Sequence, residues 1–144
     1  MSFPAINGTR PLLQRVRGMS AHLRHTSWRI LVVEDDPIIG MMLHDMLREL
    51  RCEPVGPAGS VVAALKLIAA TRALDGAVLD CNLGGEKVWP VADALVERDV
   101  PFVFSTGYGT AGVEARFSQW PVLAKPYHVR ALQRALIPQL ERGT

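Results

Sequence analysis

Short apolar runs recur along the chain, each closed by a polar or turn-forming residue, and amphipathic stretches lie between them. Trp28 to Val33 is rich in β-branched residues and predicts a first strand. Asp36-Pro37 then predicts a helix start, an acid cap followed by proline at the first helical position. That helix runs to about Arg51, with Ile38, Met42, Met46 and Leu50 at i, i+4 spacing and Ile39 and Leu43 widening the stripe. Glu53 to Pro57 predicts a second strand, and its two prolines place it at a sheet edge. Ser60 caps a helix from Val61 to about Thr71, facing Val62, Leu65 and Ile68 inward. A third strand follows from Gly76 to Asp80. Pro90 suits the first turn of a helix to about Arg98, with Val91, Ala94 and Leu95 inward. Val100 to Phe104 predicts a fourth strand, delivering Ser105-Thr106-Gly107 at its end. Residues 107–119 are glycine-rich and weakly periodic, which predicts a loop with at most a turn or two of helix. Pro121 to Ala124 predicts a fifth strand and Val129 to about Leu140 a last helix, with Leu132, Leu136 and Leu140 at i, i+4.

Five strands alternating with helices describe an α/β, doubly wound parallel sheet. Right-handed crossovers bring the carboxyl ends of all five strands to one edge, where ligands of open parallel sheets bind. Glu34, Asp35 and Asp36 close the first strand there, Asp80 the third, Thr106 the fourth and Lys125 the fifth.

Composition narrows the picture without redirecting it. The 144 residues suit one domain with a real core. Residues 1–27 lack strand or helix periodicity and read as a flexible basic tail, leaving 28–141 as the folded domain. Residues 1–29 hold five arginines and no acid, so the remainder is mildly acidic, with 11 basic and 14 acidic residues. That balance argues against a broad nucleic-acid footprint. No apolar run approaches the roughly 18 residues of a membrane span. Cys52 and Cys81 lack metal-ligand spacing and read as reduced thiols of a cytoplasmic protein.

Carboxylates gathered in one cleft repel one another unless a cation sits among them. A magnesium ion takes oxygen ligands and tolerates several carboxylates with water and phosphate oxygens. Asp35 and Asp80 suit direct ligation, and Glu34 suits contact through water. Lys125 and the metal would neutralise a transferring phosphoryl group, for which Asp80 is the candidate nucleophile. Thr106 offers a hydroxyl to a phosphate oxygen, and Gly107 leaves room for the incoming group. Each signal is weak singly: Asp36 reads first as a helix cap, Lys125 and Thr106 have ordinary surface roles, and Cys81 reads as packing.

Taken together, Leu31-Val32-Val33-Glu34-Asp35-Asp36-Pro37, Val78-Leu79-Asp80-Cys81-Asn82-Leu83, Phe104-Ser105-Thr106-Gly107 and Ala124-Lys125-Pro126-Tyr127 resemble the receiver domain of two-component response regulators. The resemblance covers about residues 28–140. It implies a flavodoxin-like sheet with strand order 2-1-3-4-5. It makes Asp80 the phosphoacceptor, Glu34 and Asp35 the acidic magnesium pair and the main-chain carbonyl of Asn82 a third protein ligand. Asn82, Thr106, Gly107 and Lys125 would surround the phosphate, with Thr106 the switch hydroxyl and the Lys125–Pro126 bond cis. Two features depart from the pattern. Val122 stands where receivers often carry a switch aromatic, and the span from Thr106 to Lys125 is about one helical turn short, so the fourth helix is expected to be short or missing. Phe104-Ser105-Thr106-Gly107-Tyr108-Gly109 is similar to the Phe-Ala-Thr-Gly-hydrophobic-Tyr signature of an alphaproteobacterial subgroup, which offers Tyr108 as a substitute switch aromatic.

The resemblance implies a phosphoacceptor rather than an enzyme, with at most self-phosphorylation and self-dephosphorylation. Its partners would be a sensor histidine kinase or a histidine phosphotransferase, an unknown downstream protein and, on some surfaces, a second copy of the chain. No helix-turn-helix follows Leu140, so a stand-alone receiver acting without DNA or membrane is expected. A magnesium-dependent phosphatase is the alternative of a different class. Haloacid-dehalogenase-like enzymes, however, carry their aspartate after the first strand with a second acid two residues on, where this chain has Asn82. A receiver-like binding module that works without phosphorylation is a third reading, disfavoured by the intact acids and Lys125.

Overall fold

A computed structural model describes residues 27–142; the expectation of a flexible tail over 1–27 lies, apart from Ser27, outside them. The elements in chain order are β1 (Trp28–Val33), α1 (Pro37–Glu49), β2 (Cys52–Ala58), α2 (Val61–Ala70), β3 (Gly76–Asp80), a small hairpin of β4 (Asn82–Leu83) and β5 (Glu86–Lys87), α3 (Trp89–Glu97), β6 (Phe102–Thr106), β7 (Val122–Ala124) and α4 (Val129–Arg142). Five strands form one parallel sheet in the order β2-β1-β3-β6-β7. Counting the long strands alone, this is the expected 2-1-3-4-5 order of a flavodoxin-like fold.

The central strands β3 and β6 are buried along their whole length, and β1 nearly so. Continuous apolar runs of this kind are what a sheet covered on both faces requires. Alternation along the strands sorts the core into two layers. Ile30, Val32, Val78 and Val103 pack with Leu43 and Leu47 of α1 and Leu132, Leu136 and Leu140 of α4. Leu31, Val33, Leu79, Phe102 and Phe104 pack with Ala64 and Ile68 of α2 and Val91 and Leu95 of α3. The proline-bearing β2 lies at one edge, as expected, and the three-residue β7 at the other.

Two helix faces differ from the expected ones. In α1 the buried residues are Gly40, Leu43 and Leu47, whereas Ile38 is 70% exposed and Met42 52% exposed. This helix carries apolar residues on more than one face, so periodicity does not single out the inward one. The start at Asp36, whose Oδ1 accepts from the Ile38 and Ile39 amides at 2.9 and 3.3 Å, fixes the rotation instead. In α2 the sheet takes Val61, Ala64 and Ile68, leaving Val62 exposed; the small Ala64 lets the helix sit close. Leu132, Leu136 and Leu140 of α4 are buried as expected. β6 begins two residues later than expected, because Asp99 turns with φ of 56° after α3 and Pro101 delays entry into the ladder.

The segment joining β6 to β7 contains two 3-10 turns, Gly109–Gly112 and Ala115–Phe117, in place of a helix, as the short span foretold. An aromatic cluster covers the sheet there. Trp120 stacks on Phe102 with centroids 5.4 Å apart, and Trp89 stacks on Phe117 at 5.7 Å. Arg116 clasps Asp93 of α3 with both guanidinium nitrogens, at 2.6 and 3.1 Å, and lies over the Phe117 ring. No helix among the described residues is long and apolar enough to cross a membrane.

Candidate functional site

The sheet brings Glu34, Asp35, Asp80, Thr106 and Lys125 to one edge. Glu34 follows β1 and is 4% exposed, Asp80 ends β3 buried, and Asp35 faces solvent. Carboxylate oxygens of these three acids lie within 4.8 Å of one another. Lys125, delivered by β7, donates to Glu34 Oε1 at 2.8 Å and stands 3.3 Å from Asp80 Oδ2. The backbone amide of Lys125 donates to the Thr106 carbonyl at 2.8 Å, which fixes the height of the lysine against β6. The Lys125–Pro126 bond is cis, as the sequence led one to expect; so is Gly56–Pro57, which was not foreseen.

Three carboxylates against one ammonium leave the cluster acid-rich, and its protons show the strain. Burial drives the Glu34 carboxyl up to about 7, opposed by Lys125 and by the Asp36 amide at 3.1 Å, while Asp80 pushes it further up. Burial pulls the Lys125 amine down, but its contacts with Glu34 and Asp80 outweigh this and hold it above its ordinary value. Hard oxygen donors at this spacing are the donor set of a small divalent cation, not of a soft metal. The two cysteines lie outside it: both are free and buried. Burial pushes the Cys81 thiol up to about 12, with Asp80 adding to the shift.

The loop behind Asp80 is built by local hydrogen bonds. Asp80 Oδ1 accepts from the Asn82 amide at 3.2 Å, and Asn82 Oδ1 accepts from the Gly85 amide at 2.7 Å. Gly84 and Gly85 take positive φ and close the β4–β5 hairpin beside Asp35. Glu86 from that hairpin reaches the Val61 amide at 3.1 Å and caps α2. This tie between the acidic loop and a distant helix has no local sequence signal.

On the other side, Thr106 is 3% exposed and its Oγ1 accepts from the Tyr108 amide at 3.0 Å. The Tyr108 side chain is 77% exposed. Gly107 has open space where a Cβ would stand, whereas Gly112 lies directly against the Thr106 hydroxyl. Val122 is half-buried in β7 against the aromatic cluster. Asp36 acts as the α1 cap. Sequence reasoning missed Gly112, Glu86 and Tyr127; a glycine among glycines and an acid in a loop carry nothing that marks their long-range contacts. Beside Lys125 opens an apolar cavity of 310 Å³, lined by Ile39, Met42, Leu43, Met46, Pro126 and Tyr127.

A five-stranded parallel sheet with an acid triad and a lysine at its carboxyl edge defines a flavodoxin-like receiver. SdrG from Sphingomonas melonis Fr1, in its solution structure, is 46% identical over 80% of this chain and 98% of its own, with a TM-score of 0.71. SdrG from Pseudomonas melonis Fr1, in a BeF3-activated conformation, is also 46% identical, over 81% of this chain and 97% of its own, with a TM-score of 0.68. The receiver domain of the PhyR response regulator from Erythrobacter litoralis shares the fold at 23% identity, over 80% of this chain and 91% of its own, with a TM-score of 0.68. No family model and no curated protein sequence matches the chain. The chain belongs to the receiver domains of two-component response regulators.

Proposed function

We propose that this receiver, spanning about residues 28–141, accepts a phosphoryl group on Asp80 and works as a stand-alone response regulator in the cytoplasm. One observation carries the reading: a half-buried lysine ammonium bridges Glu34 and Asp80 where three converging strand ends bring three carboxylates together. The donor would be a phosphohistidine of a sensor kinase or of a histidine phosphotransferase. An Asp80 carboxylate oxygen attacks phosphorus, the phosphorus–nitrogen bond breaks, and the imidazole keeps the electron pair. An acyl phosphate results.

Glu34, Asp35, Asp80 and the main-chain carbonyl of Asn82 would hold a magnesium ion, which supplies charge neutralisation to the phosphoryl oxygens. Lys125 would add its own positive charge by moving from its present carboxylate partners toward the phosphoryl group. Gly107 leaves the approach open. Thr106, whose Oγ1 accepts from the Tyr108 amide, then turns to donate its hydroxyl proton to a phosphoryl oxygen, the charge change biasing segment 106–119 between two arrangements. Val122 is too small to act as the moving aromatic, and Tyr108 begins that role exposed. The apolar cavity between α1 and Lys125 suits the donor, because a protein delivering a phosphoryl group to Asp80 must seat itself at this rim. Ile38, Met41 and Met42 are exposed on the same helix. Output passes through protein contact, to an unknown downstream protein or a second copy of the chain, rather than through DNA. Turnover is limited to self-phosphorylation from small donors and self-dephosphorylation.

Acetyl phosphate, with and without magnesium, on wild type and Asp80→Asn, read by intact mass, tests this. A magnesium-dependent phosphate adduct on wild type and none on the variant is expected. An adduct of equal yield on the variant would place the acceptor elsewhere.

A further inference from the structure

A side chain at Gly112 would meet the Thr106 hydroxyl. The Gly109–Gly112 turn packs against β6 and β7. A Cβ at Gly112 would stand 2.5 Å from Thr106 Oγ1, and 3.4 Å from both Thr106 Cβ and Tyr108 Cβ. The first distance is far inside van der Waals contact. The Thr106 hydroxyl is therefore held by the Tyr108 amide and shut in beneath Gly112. The backbone beneath it is tied down, since the Thr106 carbonyl accepts from the Lys125 amide at 2.8 Å. Threonine is stiff at χ1 and moves between staggered wells. The hydroxyl thus leaves its resting place in a jump, and the jump that leaves only the β-hydrogen there empties the space under Gly112.

We infer that Gly112 is a positioning residue for Thr106, and that the contact between them, rather than an aromatic at position 122, carries the state of Thr106 into segment 107–120. The inference rests on the reading of Thr106 as the switch hydroxyl. It supplies the link that Val122 cannot make. When the hydroxyl sits under Gly112, the turn is held at its present height. When the hydroxyl swings toward Asp80, the turn loses its support. Downstream of the turn, Arg116 is paired to Asp93 of α3 and Glu114, so displacement of the turn pulls on an exposed ionic latch. The exposed Tyr108 side chain rides on the same turn.

The test is a set of magnesium-dependent beryllofluoride titrations followed by tryptophan fluorescence on wild type, Gly112→Ala, Thr106→Ala, Thr106→Ser and the Gly112→Ala combinations with each Thr106 variant. A methyl at 112 crowds the resting hydroxyl and not the swung one, so Gly112→Ala is expected to bind beryllofluoride about fivefold more tightly or better. The gain persists with Thr106→Ser, which keeps the hydroxyl, and falls below about twofold with Thr106→Ala, where no hydroxyl is left to crowd. An unchanged or weaker affinity in Gly112→Ala, or a gain that survives in Thr106→Ala, overturns the inference. If Gly112→Ala does not fold, a folded Thr106→Ala/Gly112→Ala protein supports it, and an unfolded one overturns it by making Gly112 a requirement of the turn itself. Failure of wild type to bind beryllofluoride would sink the phosphoacceptor reading as a whole and shows before any variant is compared.

Discussion

Replacing Lys125 with methionine keeps most of the side-chain volume and removes the charge. In wild type the amine faces Glu34 Oε1 at 2.8 Å and Asp80 Oδ2 at 3.3 Å, with its side chain one-fifth exposed. The size of the loss depends on pH, because Glu34 is held at about 7 even with the lysine present. The Glu34 pKa is raised on folding, so the folded state binds this proton more tightly than the unfolded chain does. Stability from this group is then full below the ordinary carboxylate range and is lost as pH rises toward the folded value of about 7. Without Lys125 the carboxyl loses the largest influence that lowers it and rises further. Wild type therefore gains from the ionised Glu34 over about one pH unit above its midpoint, and the variant does not.

That unit corresponds to about 1 kcal/mol. Loss of the Lys125 contact to Asp80 adds about 1 kcal/mol at either pH, below the usual range for charge-assisted hydrogen bonds because the lysine is partly exposed and 3.3 Å away. Lys125→Met is thus expected to cost about 1 kcal/mol at pH 6 and about 2 kcal/mol at pH 8 in metal-free buffer. Urea denaturation followed by tryptophan emission, with a chelator present, reads both numbers. Titrating groups common to the two proteins drop out of the difference. A cost that is equal at the two pH values, or larger at pH 6, would refute the assignment of the raised proton to Glu34 and of its restraint to Lys125.

Two further outcomes bear on the scaffold. Leu136→Ala, at a fully buried contact between α4 and the sheet, is expected to cost about 2 to 5 kcal/mol by cavity formation, read as a lower urea midpoint with an unchanged slope. Cys52 and Cys81 are buried, with thiols pushed up to about 11 and about 12; both should resist a disulfide reagent at pH 8 in folded protein and react at once in denaturant. Rapid labelling of Cys81 in the native state would contradict its burial beside Asp80.

The sheet was legible because its central strands leave no choice of face. Ala77 to Leu79 and Phe102 to Phe104 are apolar on both sides, so length and flanking turn residues were enough. The helix faces were harder where the helix is apolar beyond one stripe. In α1, Ile38, Met42 and Met46 satisfy a four-residue repeat as well as Leu43 and Leu47 do, and the cap at Asp36 decides between them only through three-dimensional geometry. The α4 face was read correctly, because Leu132, Leu136 and Leu140 stand among polar neighbours. Most of the candidate site was legible for a simple reason: its side chains sit at strand ends, where strand order alone brings them together. Glu86 capping α2 and Gly112 against Thr106 were not, since neither is local and neither residue type marks its partner.

The segment after Thr106 shows how the missing helix is compensated and what that implies for signalling. Phe102 and Phe104 need cover on the face that α2 and α3 leave open. Phe117, Trp120 and, from the first position of α3, Trp89 provide it through four ring contacts within 5.4 to 6.5 Å. Such pairs contribute about 0.5 to 1.5 kcal/mol each beyond the area they bury. The cover is anchored at its far end, by Phe117 and Trp120, and at its flank by the exposed Arg116–Asp93 pair. Between Gly107 and Gly112 nothing comparable is buried. A short turn without a helical hydrogen-bond ladder opens at low cost, and low-stability stretches are where conformational change is accommodated. The chain thus separates a rigid aromatic plate, which keeps the sheet covered, from a loose turn resting on the Thr106 hydroxyl. Movement of that hydroxyl can shift the turn without unpacking the core. A helix spanning the whole segment would couple the two, and the signal would then have to work against the full packing energy of the face.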